Sequence, residues 1–248
     1  MDELMELPSN IIQHLDYYVY IYVNPLDNTI FYVGKGKDNR VLSHLNDEDE
    51  SEKVNKIKEI REKGKIPRIE ILRHGLDEKT ALSIEASVID AIGIPPLTNK
   101  KRGTDTEHGR MGLELLAAII DPQDADIHEP AILIRINELY RYGMSDDELL
   151  DATRGIWIVG ERRYKAKYAF AVYAGIIQEV YHIKQWFPAG SSRYKTRPEL
   201  NDTNLYGSRR WEFVGELAEN EIREKYRLKS VKKILNANSQ NPIKYINC

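Results

Sequence analysis

The stretch YYVYIYVNPLDNTIFYVGKGK, residues 17–37, limits what this chain can fold into more than any other. Tyr17 to Val23 is β-branched and aromatic throughout, which is strand composition. Asn24-Pro25-Leu26-Asp27-Asn28 is turn chemistry, and Thr29 to Val33 is the returning strand. The stretch therefore predicts a β-hairpin. It ends in Gly34-Lys35-Gly36-Lys37, and Asn39 then caps a short helix from Arg40 to about Leu45. Glycine at 34 and 36 permits positive φ and the close approach of a ligand. Lys35, Lys37 and Arg40 put cations around that opening, which suits phosphate. Arg40 and His44 are four residues apart and share a face if the helix forms.

More helices and a third strand follow. Ser51 caps a helix to Lys63, with Val54, Ile57 and Ile60 as its apolar stripe and Gly64 as its stop. Arg68 to Leu72 reads as a strand. Asp77 caps a long helix to Ile92, ended by Gly93 and Pro95-Pro96. Glu85 sits on the apolar stripe of that helix, flanked by Ala81, Leu82, Val88, Ile89 and Ile92. A carboxylate there binds a cation or a donor network, pairs with a structural arginine, or reaches out to solvent.

Six features, in order, resemble the GIY-YIG endonuclease superfamily. Tyr18-Val19-Tyr20 stands for the first tripeptide and Tyr32-Val33-Gly34 for the second; Arg40, His44, Glu85 and Asn99 follow. FYVGKGKDNRVLSHL is most similar to the subgroup that animals fuse to ankyrin and LEM domains. Tyr18 replaces the first glycine, as in that subgroup. The resemblance implies hydrolysis of DNA phosphodiesters with one divalent metal, Mg²⁺ or Mn²⁺, held by Glu85. It implies that Arg40 stabilises phosphoryl charge and that a tyrosine takes the proton of the attacking water. Tyr20 is slightly favoured as that base, with Tyr32 orienting the water and Lys35 lowering the phenol pKa. His44 bonds the phosphate or relays a proton, and Asn99 follows the metal helix. Lys37 and the triplet Lys100-Lys101-Arg102 are expected to track the DNA backbone.

The second half has a different texture. Gly112 to Ile120 reads as the last helix of a first unit spanning 1–120, and DPQDADIHE lies in a linker at 121–130. In 131–248, Ala131 to Ile136 is apolar, Ser145 to Ala152 is helical and Gly155 to Val159 is strand-like. Tyr164 to Ala169 is helical; Ala171 to Ile183, Arg210 to Gly215 and Ile243 to Asn247 are strands. That order is weakly similar to PUA-like barrels, a superfamily that includes readers of modified bases. Basic and aromatic residues interleave, and Trp157, Trp186 and Trp211 are the candidates for a base pocket.

The expected fold class is therefore α+β: a small antiparallel sheet flanked by helices, then a mainly β barrel. The expected function is cleavage of double-stranded DNA, in restriction of foreign or base-modified DNA. A structure-specific repair nuclease and an inactive nucleic-acid-binding module are the rivals. One site nicks one strand, so a homodimer is expected where both strands are cut. Apolar runs are too short for a membrane span, the start MDELMELPSN lacks a signal pattern, and the single cysteine, Cys248, fits a reducing cytoplasm. The net charge of −3 leaves room for a basic face.

Overall fold

The structure is a computed structural model that describes residues 9–43, 45, 47, 49–93, 97–99, 108–201, 209–235 and 241–248. Its contacts divide the chain into two units, Met1–Arg110 and Met111–Cys248. Both helices and sheets are present, consistent with α+β. Among the described residues no helix is long and apolar enough to cross a membrane.

The first unit runs α1 (Ser9–Leu15), β1 (Tyr17–Val23), β2 (Ile30–Lys37), α2 (Arg40–Ser43), α3 (Glu52–Glu62), β3 (Arg68–Leu76) and α4 (Glu78–Ile92). Its three strands form an antiparallel sheet in the order β2-β1-β3. Strand alternation divides the hairpin between two cores. Tyr18, Tyr20 and Tyr22 pack with Val41 and Leu42 of α2 and Ile57 and Ile60 of α3. Val19, Ile21, Val23 and Val33 pack on Ala81 and Ile89 of α4. A bulge opposite Tyr22 and Val23 turns both Phe31 and Tyr32 toward the tyrosine side. Each fully buried aromatic there contributes about 1.5–3 kcal/mol. The hairpin, the Ser51 cap of α3 and the Asp77 cap of α4 match the sequence expectation.

The second unit contains α5 (Leu113–Ile120), β4 (Ala131–Arg135), α6 (Asp146–Arg154), β5 (Trp157–Ile158), β6 (Tyr168–Tyr173), β7 (Ile176–Pro188), β8 (Arg210–Leu217), α7 (Asn220–Tyr226) and β9 (Ile243–Ile246). Its six strands follow the order β5-β8-β7-β6-β4-β9, with only β4 and β6 parallel. The sheet curls into a nearly closed barrel. Arg162, just beyond β5, reaches the far edge strand. Its guanidinium lies 4.8 Å from the Tyr245 ring centroid and donates to the Cys248 carbonyl at 2.8 Å.

The second half departs from expectation in four places. Leu115 of α5 packs with Tyr173 and Ile176, so this helix belongs to the second unit. Segment 121–130 is no free linker: Ala125 and Ile127 alternate into the core, and Ala125 N donates to Ser230 O at 2.8 Å. Tyr164 to Ala169 is not a helix but the end of a 3-10 turn, Glu161–Lys165, and the start of β6. Ala171 to Ile183 is not one strand. Ala174 and Gly175 take φ of 50° and 79°, the left-handed turn that matches strand twist, and split the run into a hairpin.

Candidate active site

The site grows from the free edge of β2. In the order β2-β1-β3, one side of β2 has no strand partner, and its outward N–H and C=O groups need other bonds. Asn99 acts as a short stand-in strand: its Oδ1 accepts from Val33 N at 3.1 Å, and its Nδ2 donates to Val33 O at 2.7 Å. Thr98 donates to Phe31 O through its N–H at 2.7 Å. Two residues further along, Lys35 N donates to Glu85 Oε1 at 2.9 Å. The carboxylate on the apolar stripe of α4 has thus found a backbone donor. Burial raises the Glu85 pKa, opposed by that N–H and by the charges of Lys35 and Arg40.

The tyrosine face supplies the rest. Tyr20 stands opposite Gly34, and Tyr18 opposite Gly36. Neither glycine has positive φ. A Cβ on Gly34 would lie 2.8 Å from Tyr20 Cζ, and one on Gly36 would lie 2.3 Å from Tyr18 Cε2. The glycines make room for tyrosine rings crossing the strand, which corrects the expectation of positive φ and ligand approach. Tyr18 then donates to Asp38 O at 2.8 Å and accepts from Val41 N at 3.1 Å, while Tyr22 donates to Val41 O at 2.5 Å. These bonds pin the turn that carries Arg40. Arg40 is exposed, yet its charge favours the ionised forms of Tyr18, Tyr20, Tyr32 and Glu85, so one cation serves the whole cluster.

Tyr20 and Tyr32 differ in kind. Tyr20 is sealed from solvent, and its hydroxyl has no well-formed hydrogen bond. Burial pushes its pKa far up. Tyr32 is half-buried, with ring centroids 6.1 Å apart between the two. Burial first, then the Glu85 charge, raises Tyr32; the Tyr20 hydroxyl and Arg40 act the other way. The Lys35 ammonium pairs with Glu78 Oε1 at 2.6 Å.

The structure thus brings together Tyr20, Tyr32, Lys35, Arg40, Glu85 and Asn99. His44, Lys100, Lys101 and Arg102 lie outside the described residues. Three further residues join the site. Lys53 is 7% exposed, bonds Asp47 Oδ2 at 2.9 Å, and lies 5.3 Å from the Tyr32 ring centroid. Glu78 is the third. It sits seven residues before Glu85, two helical turns on the same face, a spacing legible in the sequence. Nothing in the sequence marks Lys53 or Asp47.

Among the described residues no three His, Cys, Asp or Glu side chains gather to hold a metal. A hard divalent cation needs less, since it often keeps waters and binds one or two carboxylates plus a substrate phosphate. Glu85 fits: one oxygen takes the Lys35 N–H and the other remains for a cation at the sheet edge.

Residues 11–111 match the LEM-3-like GIY-YIG domain. The chain is also similar to the ankyrin repeat and LEM domain-containing protein 1 homolog of Caenorhabditis elegans, with 41% identity over 88 residues. That alignment covers 30% of this chain and 12% of the relative. No solved structure matches the chain. The likeness lies almost wholly within the first unit, residues 11–111. Removing the edge clamp tests its architecture. Asn99→Ala should destabilise the first unit by about 1–3 kcal/mol, because two outward groups of Val33 lose their partner. Hydrogen exchange at Phe31 to Lys35 should speed up more than exchange at Ile21.

The three tryptophans of the second unit, Trp157, Trp186 and Trp211, all belong to or pack against one apolar cluster. Trp157 and Trp211 face each other across β5 and β8, with Trp157 Nε1 donating to Thr153 O at 2.7 Å. Arg163 lies 3.5 Å over Trp211. Trp186 is buried against Phe213, ring centroids 5.4 Å apart.

Proposed function

We propose that this chain is a metal-dependent DNA endonuclease and that its second unit selects the DNA. The observation that carries the reading is the convergence at the β2 edge. Glu85, half-buried on an apolar stripe, is held by the Lys35 N–H within the field of Arg40 and beside Tyr32. In this reading Glu85 holds Mg²⁺ or Mn²⁺. Such a cation polarises the scissile phosphate, stabilises the leaving oxygen and offsets the Glu85 charge that raises Tyr32.

Arg40 then stabilises charge on the phosphoryl oxygens, on a turn kept in place by Tyr18 and Tyr22. Exposure favours Tyr32 over Tyr20 as the group that takes the water proton. Tyr20 helps by stabilising the ionised Tyr32 from its sealed side. Asn99 is a positioning residue that keeps β2 beside Glu85.

The pH dependence follows from the Tyr32 shift. Burial, then the Glu85 charge, holds its pKa above the ordinary phenol range, so the ionised form is the minor one at neutral pH and grows with pH. The cleavage rate should therefore climb with a slope near one from about pH 6 to about pH 9. Tyr32→Phe should flatten that slope, while Tyr20→Phe should lower the rate and keep the slope. The reverse pattern would assign the base to Tyr20.

Restriction of foreign or modified DNA is the role we favour, supported by a nuclease-like domain joined to a separate barrel unit rich in basic and aromatic residues. The test is nicking and linearisation of plasmid and phage DNA with Mg²⁺, Mn²⁺ or chelator. The phage DNA carries plain, methylated, hydroxymethylated or glucosylated cytosine. Metal-dependent cutting that follows the modification supports restriction. Cutting only at flaps or junctions supports the structure-specific rival. Binding without cutting of any substrate supports an inactive module. Linearisation whose rate rises with the square of protein concentration would show that two copies act together.

A further inference from the structure

Lys35 has two ends, and each meets a different glutamate of α4. Its N–H meets Glu85, and its ammonium meets Glu78 at 2.6 Å. Lys37 stands two residues along β2, on the same face of the strand. Both ammonium groups lie beside the Tyr17 ring, 5.2 and 5.1 Å from its centroid. The Tyr17 hydroxyl and the Lys37 charge also favour ionised Glu78. Two cations on one ring repel each other unless an anion sits with them. Here that anion is a carboxylate from the first turn of α4, one Glu78 beside two ammonium groups. Nearby Asp77 is committed to Thr80, whose N–H and hydroxyl it accepts at 2.9 and 2.7 Å.

We propose that Tyr17, Lys35 and Lys37 form a second phosphate site, for a DNA backbone phosphate next to the scissile one, and that Glu78 fills this site until DNA arrives. The proposal rests on the nuclease reading and adds the seat of the neighbouring phosphate. The Glu78 side chain is 57% exposed, and an ion pair so wet is weak and readily exchanged. Phosphate offers more acceptor oxygens than a carboxylate and can engage both lysines together. A strand lying along the β2 edge would meet Glu85 and Arg40 with one phosphate and the two ammonium groups with the next. Glu78 thus weakens capture of any polyanion that cannot supply both phosphates in register.

The test uses the full-length chain carrying Glu85→Gln, so that DNA is bound and not cut. Fluorescence anisotropy reports its affinity for a short labelled duplex in chelator. Adding Glu78→Gln should tighten binding about fivefold, the size of one exposed ion pair that no longer competes. Lys35→Met should weaken binding, and Glu78→Gln should then bring no gain. Unchanged or weaker binding with Glu78→Gln alone would overturn the proposal. So would an equal gain in the Lys35→Met background, since that is general charge removal. Tightening toward inorganic phosphate and not toward duplex would assign the site to free phosphate and also overturn it. Thermal melts check that Asp77 still caps α4 in each variant. Wild-type nicking is measured in parallel. If it succeeds without the Glu78 gain, the second site fails alone; if it fails while the gain appears, the nuclease reading fails alone.

Discussion

Glu85→Gln should give a protein that is folded, slightly more stable at neutral pH, and unable to cut DNA. Glutamine keeps the size of the side chain and still accepts from Lys35 N through its carbonyl oxygen. Only the charge is lost. The wild-type carboxyl has a pKa raised above its ordinary value by burial. A raised acid means that the folded state prefers the proton. The wild type therefore loses stability as pH climbs through the ordinary and then the raised carboxyl pKa, while the glutamine variant does not. The melting-temperature difference between the two should grow across that window and level off above it. Cleavage should fall about 10³-fold or more, because a cation site contributes several kcal/mol of charge stabilisation. The rise in wild-type melting temperature on adding Mg²⁺ should vanish with it. A purely structural Glu85 predicts the opposite pairing, lower stability with cutting preserved.

Gly36→Ala should be the most damaging small change in the hairpin. Its methyl group would lie 2.3 Å from Tyr18 Cε2 and 2.4 Å from Cζ, well inside contact distance. Tyr18 cannot step aside, because its ring is fully buried and its hydroxyl is tied to Asp38 O and Val41 N. Moving the ring breaks those bonds and releases the turn under Arg40. We expect a loss of about 3 kcal/mol or more. Hydrogen exchange should show the loss as early opening of β1 and β2. Trimming the ring with Tyr18→Leu should recover part of the stability of Gly36→Ala and none of the cleavage, since the turn stays unpinned. Gly34→Ala should cost less stability. The methyl group would press on Tyr20 Cζ at 2.8 Å, but the Tyr20 hydroxyl has no comparable anchors.

The hairpin was legible because aromatic and β-branched runs around an Asn-Pro-Leu-Asp-Asn turn admit few other structures. Glu85 was legible because a lone carboxylate between Ala81 and Ile89 must have a reason to stay. The purpose of Gly34 and Gly36 was hidden, since it depends on register: only pairing Tyr20 with Gly34 and Tyr18 with Gly36 shows that rings fill the space. The partner of the Lys35 ammonium was hidden for a related reason: alternation points it to the α4 face, where Glu78 and Tyr17 lie. Lys53 and Asp47 left no signal, because burial of that lysine depends on how α3 lies on the tyrosine face. In the second half, Ala174-Gly175 concealed a hairpin, since alanine is a rare choice for positive φ. Ala125 and Ile127 concealed a segment packed into the core inside a polar stretch.

The strand order of the second unit also sets a timetable. Among the described residues, every strand pairing of the first unit's sheet closes within residues 17–76, so that sheet can form once this stretch has emerged from the ribosome. β4 waits far longer, because Ala131 pairs with Ile246 at the opposite end of the unit. Through most of synthesis one side of β4 lacks its strand, and long-range pairing of this kind is slow. The sheet of the first unit is thus complete on the nascent chain well before β4 has both of its neighbours.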